Sequence, residues 1–376
     1  MKLDLSPDQE LVRDTTRRFL AERSPLAEVR RLAADPAGYD RKWWRQGSEL
    51  GWTAMLVPEE LGGGSVTGDG LLDLVVVAEE MGRLVAPGPF VPVNVVASAL
   101  AAAGNEDHRA TVLPALVAGE SVAAWCLAEP GAAWCPTDNA RVTAERTAGG
   151  WVLSGTKSPV EAAVDADHLL VVARTAEGPT QLLIPAGTPG VTVVPLRSLD
   201  LVRRFAEVRF ERAEVPDQAV VGNVGRAAAD VEHQLLLALA LQCAETVGAV
   251  DQVFSFTVEY AFDRYSFGRP LASYQALKHR FADMKTWLEA CHATAAGAAD
   301  AVQAGSPDAA RLASVAAAYI GDRSTAMIQD CVQLHGGIGV TWEHDIHLYL
   351  RRATVNRATY GTPRQHRERL ATLLAA

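Results

Sequence analysis

Arg264-Tyr265-Ser266-Phe267-Gly268-Arg269-Pro270 is the stretch on which the reading of this chain turns. Gln275, His279 and Ala282-Asp283-Met284 follow it, and Gln333-Leu334-His335-Gly336-Gly337-Ile338-Gly339 comes later. Arg264 offers a planar fork of donors suited to a pyrophosphate. Phe267 offers an apolar face for a ring, and Gln275 offers donor and acceptor together. Gly336 and Gly337 lack a Cβ and so let backbone approach a ligand closely. Taken singly, each motif also reads as a helix–helix turn with a surface arginine, or as a plain helix C-cap.

Working outward, both stretches lie in helical sequence. Leu236, Ala240, Cys243, Val247, Val250 and Phe254 make one apolar stripe leading to Arg264. Gln275 to Ala304 and Pro307 to Gln333 read as two further long helices, so residues 228–376 are expected to form a C-terminal helical bundle. Residues 121–227 change period. Ser121–Ala128, Arg141–Glu145, Trp151–Gly155, His168–Arg174, Gln181–Pro185, Thr192–Leu196 and Phe205–Phe210 are short β-rich runs separated by Gly, Pro and Asp. They predict a central antiparallel β-barrel. Residues 1–120 read as an N-terminal helical domain. Ser6-Pro7-Asp8-Gln9 is a capping-box start, a second helix runs near Lys42–Leu50 to Gly51, and a third covers Gly68–Met81. Pro87, Pro89 and Pro92 are expected to break the chain after it. The class is α+β with helices, then strands, then helices. No GxGxxG follows a strand, which disfavours a Rossmann site.

Composition narrows the function. A net charge of −10 argues against a general nucleic-acid or anionic-membrane binder. Apolar runs such as Leu235–Leu241 are too short to span a bilayer, which needs about 20 residues. The five cysteines (126, 135, 243, 291, 331) include no C-x-x-C pair and fit reduced, buried thiols. Met1 to Gln9 has no apolar segment of signal-peptide type, so a cytoplasmic location is expected.

The two stretches together resemble the C-terminal signatures of the acyl-CoA dehydrogenase family, flavoproteins that desaturate acyl-CoA thioesters. Leu50-Gly51-Trp52 through Gly64, then Glu79-Glu80-Met81-Gly82, resemble the family's N-terminal domain. The resemblance implies FAD as cofactor, an acyl-CoA substrate, an electron-transfer acceptor and an oligomer. It implies that Arg264, Phe267 and Gln275 meet the pyrophosphate and adenosine end of FAD across a subunit interface. Gln333, Gly336 and Gly337 would meet the adenine half.

The resemblance weakens elsewhere. Trp125 to Gly131 matches the family's flavin-facing strand and loop, but the usual Thr is Ala128 and the usual Ser falls near Trp134. Gly155-Thr156-Lys157 matches the Gly-x-Lys strand, but Pro159 replaces an aromatic and Glu161 a Thr. The catalytic glutamate is missing from both family locations, which here hold Tyr360 and Ala238. Tyrosine is a poor base, with an ordinary pKa of about 10. Glu245 is the nearby carboxylate, seven residues past Ala238 on the same helix face, roughly 10 Å away. It reads either as an unusual base or as a helix glutamate paired for structure. Three functions follow: a homo-oligomeric dehydrogenase with Glu245 as base; a base-lacking subunit that completes the FAD site of a homologous partner; or a relative with other flavin chemistry. Retention of Arg264, Gln275, Gln333 and Gly337, with loss at 128, 159, 161, 238 and 360, favours the second.

Overall fold

The structure is a computed structural model that describes residues 5–131, 137 and 140–375. Trp134 and Cys135 lie outside the described residues.

The N-terminal helices are α1 (Pro7–Arg23), α2 (Leu26–Leu32), α3 (Arg41–Ser48), α4 (Gly70–Arg83), α5 (Phe90–Ala103) and α6 (Leu113–Val117). The capping box at α1 is formed in both directions. Ser6 Oγ accepts the Gln9 N–H at 3.2 Å, and Gln9 Oε1 accepts the Ser6 N–H at 3.1 Å. Pro87 and Pro89 lie in the break after α4, as expected, but Pro92 does not break the chain, because α5 begins at Phe90. Pro92 lies in its first turn, where an amide has no intrahelical acceptor to lose.

Among the described residues the β region has eight strands: β1 (Ala123–Cys126), β2 (Thr143–Thr147), β3 (Gly150–Glu161), β4 (His168–Thr175), β5 (Gly178–Pro185), β6 (Val191–Leu196), β7 (Phe205–Val215) and β8 (Val220–Val221). They pair in the order β6-β7-β3-β2-β4-β5-β8, with β1 also on β4. The sheet is mixed and not antiparallel throughout. β1 runs parallel to β4 over Ala123–Cys126, and β2 meets β4 in parallel at Thr143↔Arg174. The β2–β3 hairpin lies between Cys126 and His168, and it supplies the long crossover that a parallel pair needs. Alternate residues turn inward to a core of Trp151, Leu153, Val171, Ile184, Val208 and Phe210.

The C-terminal helices are α7 (Ala228–Asp263), α8 (Gln275–Gln303), α9 (Ala309–His335), α10 (Ile346–Asn356) and α11 (Pro363–Ala375). A two-stranded hairpin, β9 (Tyr265–Ser266) and β10 (Arg269–Pro270), separates α7 from α8. α7 is long and apolar enough to cross a membrane, but 89% of its apolar window is buried inside the protein. Helices, strands and helices thus follow one another as the sequence predicts.

Two compact units result. One holds the chain up to Val29, Val75–Ala86 and everything from Leu239 on; the other holds Arg30–Leu74 and Pro87–Ala238. Within the first, α4 and α7 cross backbone to backbone. A Cβ on Gly82 would sit 1.8 Å from Glu245 O, and one on Gly248 1.9 Å from Glu79 O, so neither position admits a side chain. Cys126, Cys243, Cys291 and Cys331 are buried free thiols, and burial pushes each up to about 12.

Candidate functional site

Phe267 and Gly268 are the two central residues of the β9–β10 hairpin, at φ +50° and +79°. Positive φ at both positions is the type I′ pattern, which glycine meets freely and phenylalanine does not. Phe267 is nevertheless 97% exposed, so no packing offsets the strain. The hairpin is braced from below: Tyr274 donates to Ser266 O at 2.6 Å, and the Arg269 guanidinium lies 3.9 Å over the Tyr274 ring. Arg264 lies just past α7 and is exposed; its carbonyl accepts the Leu271 N–H at 2.8 Å. Gln275 opens α8 and is exposed too, so an acceptor near it would meet unsatisfied helix N–H groups.

The second motif ends α9. Gln333, Gly336 and Gly337 are all exposed. Gly336 has φ +63°, and a Cβ on either glycine would meet nothing within 4 Å. Tyr260, four residues before Arg264, donates to His335 O at 3.3 Å and so brings the two motifs together. Thirteen large hydrophobic side chains are exposed among the described residues, and six of them flank these motifs: Phe262, Tyr265, Phe267, Ile338, Val340 and Trp342. The donor set of guanidinium, carboxamides and helix-terminal amides suits a diphosphate, and the open glycine backbone suits a flat group.

Glu245 stands in a different setting. It is 5% exposed on α7. Arg352 Nη1 donates to its Oε1 at 2.6 Å, and Asn356 Nδ2 to its Oε2 at 2.9 Å. Arg352, 1% exposed, also donates to Ala86 O at 3.1 Å and Val85 O at 3.5 Å. Asn356 reaches Thr246 Oγ1 at 3.0 Å. Both oxygens of the carboxylate are therefore taken by donors from α10. Sequence reading gives neither Arg352 nor Asn356 a role. The available signal was a charged residue beside the apolar positions Ile346, Tyr349 and Ala353 of a single helix, which implies burial with a partner.

The turn at Tyr360 is also heavily held. Tyr360 has φ +58° and Gly361 +108°. Gln242 donates to Asn356 O at 2.5 Å and to Thr359 O at 3.2 Å. His366 faces the backbone of Tyr360 and Gly361; burial first, and then the Arg369 charge, push it down to about 4. Ala238 is wholly buried in α7.

In the β-containing unit, Ala128 is exposed two residues past β1. Lys157, fully buried, donates to Glu129 Oε1 at 2.7 Å and Leu127 O at 3.1 Å. Burial lowers its pKa, and the Glu129 charge opposes that. Pro159 follows a cis Ser158–Pro159 bond. Glu161 is buried and ion-paired with Arg203 Nε at 2.9 Å.

Sequence models of the acyl-CoA dehydrogenase N-terminal, middle and C-terminal domains match residues 6–120, 124–213 and 231–374. The chain belongs to the acyl-CoA dehydrogenase family. Acyl-CoA dehydrogenase IpdE2 of Mycobacterium tuberculosis is 32% identical over 366 residues, which cover 96% of each chain. A chain of the ChsE4–ChsE5 complex, also from Mycobacterium tuberculosis, superposes with a TM-score of 0.89 at 26% identity, over 100% of this chain and 99% of that one. A chain of the Tcur3481–Tcur3483 steroid ACAD superposes at 0.87 with 28% identity, over 98% and 97%. FAD is the cofactor of this family's dehydrogenases.

Proposed function

We propose that this chain is the FAD-site-completing subunit of a heteromeric acyl-CoA dehydrogenase, and that it carries no catalytic base of its own. The observation that carries the reading is the state of Glu245. A base must present a carboxylate to the substrate α-carbon. Glu245 presents both oxygens to Arg352 and Asn356. A buried glutamate held by an arginine is a poor proton acceptor, because the positive neighbour favours the ionised carboxylate. Tyr360 and Ala238 bring no carboxylate to the two places where the family keeps one.

What this chain offers instead is surface. Arg264, Phe267, Gln275, Gln333, Gly336 and Gly337 are exposed, and they match the residues by which the family holds FAD across a subunit boundary. Arg264 and the α8 N-terminus would hold the diphosphate, and Gln333 with the open glycines the adenine half. Bound there, FAD supplies the hydride acceptor; the partner chain supplies the base. The ChsE4–ChsE5 and Tcur3481–Tcur3483 assemblies each combine two named chains, and the second is called a steroid ACAD. A homologous partner chain, a bulky steroid-type acyl-CoA and an electron-transfer acceptor fit the same reading.

The test is an electron-acceptor assay on the purified chain, alone and mixed with a homologous chain that carries the glutamate. Turnover is expected only from the mixture, since a positioned general base contributes about 10²–10⁴-fold. Turnover by the isolated chain that vanishes in Glu245→Gln, with thermal stability retained, overturns the proposal and makes Glu245 the base.

A further inference from the structure

His335 and His344 face each other beneath the exposed Gly336–Gly337 turn. His335 ends α9 and is 3% exposed. Its ring stacks on Tyr260, centroids 4.4 Å apart and planes 22° from parallel. The His344 ring meets it edge-on, at 4.4 Å and 66°. Phe256 of α7 packs against both rings, at 5.7 and 5.8 Å, and against Tyr349 of α10 at 5.8 Å. Residues from α7, α9, α10 and the segment before α10 thus converge on one imidazole pair.

The partners fix both tautomers. A carbonyl oxygen only accepts, so His335 Nδ1, 2.9 Å from Cys331 O, carries a proton. A backbone N–H only donates, so His344 Nδ1, 3.0 Å from Ile346 N, is a bare lone pair, and the neutral ring keeps its proton on Nε2. His335 immediately precedes Gly336, and His344 follows Glu343. The pair therefore grips both ends of the segment that bears Gly336, Gly337 and the exposed Ile338, Val340 and Trp342.

We propose that His335 and His344 are positioning residues for the cofactor-facing Gly336–Gly337 turn, and that a proton added at His344 Nδ1 loosens their hold on it. This rests on the FAD placement argued above. Protonation removes the acceptor of the Ile346 N–H and places a cation at the N-terminus of α10, where the helix dipole disfavours it. Titratable or charged groups near the pair include Tyr260 on α7, Cys331 on α9, Tyr349 on α10 with Arg83 of α4 beside it, and Glu343 and Asp345 on either side of His344 in its own segment. Burial, aided by the Asp345 charge, raises Tyr349 further above the neutral range. Burial lowers the pKa of His335, against the pull of the Cys331 carbonyl. His344 is the imidazole of the pair whose Nδ1 accepts a backbone N–H, so a proton there costs that hydrogen bond.

Two measurements test this. The first needs no flavin: hydrogen exchange of the Ile346 amide in the isolated chain, corrected for intrinsic rate. Its protection is expected to fall about fivefold from pH 8 to 5.5, as for loss of one ordinary hydrogen bond. In His344→Asn the amide keeps an acceptor that does not titrate, and protection is expected to stay level. The second is FAD affinity of the assembled protein, expected to weaken about fivefold over the same range in wild type and to stay level in the variant. A pH-independent Ile346 amide in wild type overturns the proposal, whether or not the variant folds. So does equal pH dependence in both proteins. An amide that responds while FAD affinity does not overturns the cofactor role of the pair. If Arg264→Ala then also leaves FAD affinity unchanged, the FAD placement itself has failed.

Discussion

Glu245 lies inside α7 and Phe267 four residues beyond its end, and the fold treats them in opposite ways. Glu245 is buried, and both its oxygens accept hydrogen bonds. Phe267 is almost wholly exposed, at a backbone angle that phenylalanine rarely adopts. The buried acid is explained by its own chain. The exposed ring is not, since strain without packing is retained where function uses it. A carboxylate in an apolar interior draws the eye as a catalytic group, yet here it is the surface hairpin whose geometry the chain's own packing leaves unexplained.

The largest effect should come from the buried side of this contrast. Glu245→Ala leaves Arg352 as an uncompensated cation that is 1% exposed. Removing one member of a buried pair costs about 3–5 kcal/mol. Thermal unfolding should show a loss of that order, whether or not flavin is present. A variant of normal stability would show that the pair carries no structural weight and would return Glu245 to the list of candidate bases.

Arg264→Ala probes the exposed side. A charge-assisted contact to a phosphate is worth about 1.5–3 kcal/mol. Flavin affinity of the assembled protein should fall roughly tenfold or more, while the stability of the flavin-free chain stays within about 0.5 kcal/mol of wild type, as for an ordinary surface change. A change confined to stability would show that the arginine serves the fold.

A second, half-buried cluster sharpens what burial does to charge. Asp251 on α7 forms ion pairs with Arg83 of α4 and, at 4.0 Å, with His292 of α8. Burial alone would raise its pKa, but His292 and the Arg83 charge overcome this and hold it at about 2. A depressed carboxylate contributes stability above its unfolded pKa of about 3.8, and that contribution is lost as pH falls through 2. His292 is raised, with burial opposing and the neighbouring carboxylates prevailing. Its contribution is full below about 6.5 and is lost as pH rises through the raised value. Asp251→Asn should therefore flatten the acid limb of stability between pH 4 and 2, by on the order of 2 kcal/mol, and reduce the decline above neutrality. An unchanged acid limb would show that Asp251 is solvated in the folded state.

How much of this was readable in the sequence depends on range. The Ser6–Gln9 capping box is complete within four residues and was readable. So were the motifs at Arg264 and Gly336, whose chemistry is carried by neighbours in sequence. α5 was missed because three prolines read as breakers, although proline in a first turn costs no hydrogen bond. The parallel β1–β4 pair was missed because strand direction follows from a crossover and not from a strand's own residues. The Arg352–Glu245 pair joins residues 107 apart in sequence, and nothing in either helix names the other. Trp134, near which the resemblance puts the family's substrate-side serine, lies outside the described residues.

Phe267→Gly is expected to have the smallest effect and to separate the two sides most clearly, because its two consequences have opposite signs. Glycine takes positive φ freely, so the change removes about 1–2 kcal/mol of backbone strain. It adds about 0.5–1 kcal/mol of unfolded-chain entropy. A side chain that is 97% exposed gives up almost no packing, so the flavin-free chain should gain about 0.5–1 kcal/mol in stability. Flavin affinity of the assembled protein should fall about fivefold, since an aromatic contact is worth about 0.5–1.5 kcal/mol. Stability that rises while flavin affinity stays the same would show a strained hairpin with no ligand to serve. Stability that falls would show that Phe267 is covered by protein in solution, and the contrast with Glu245 would collapse.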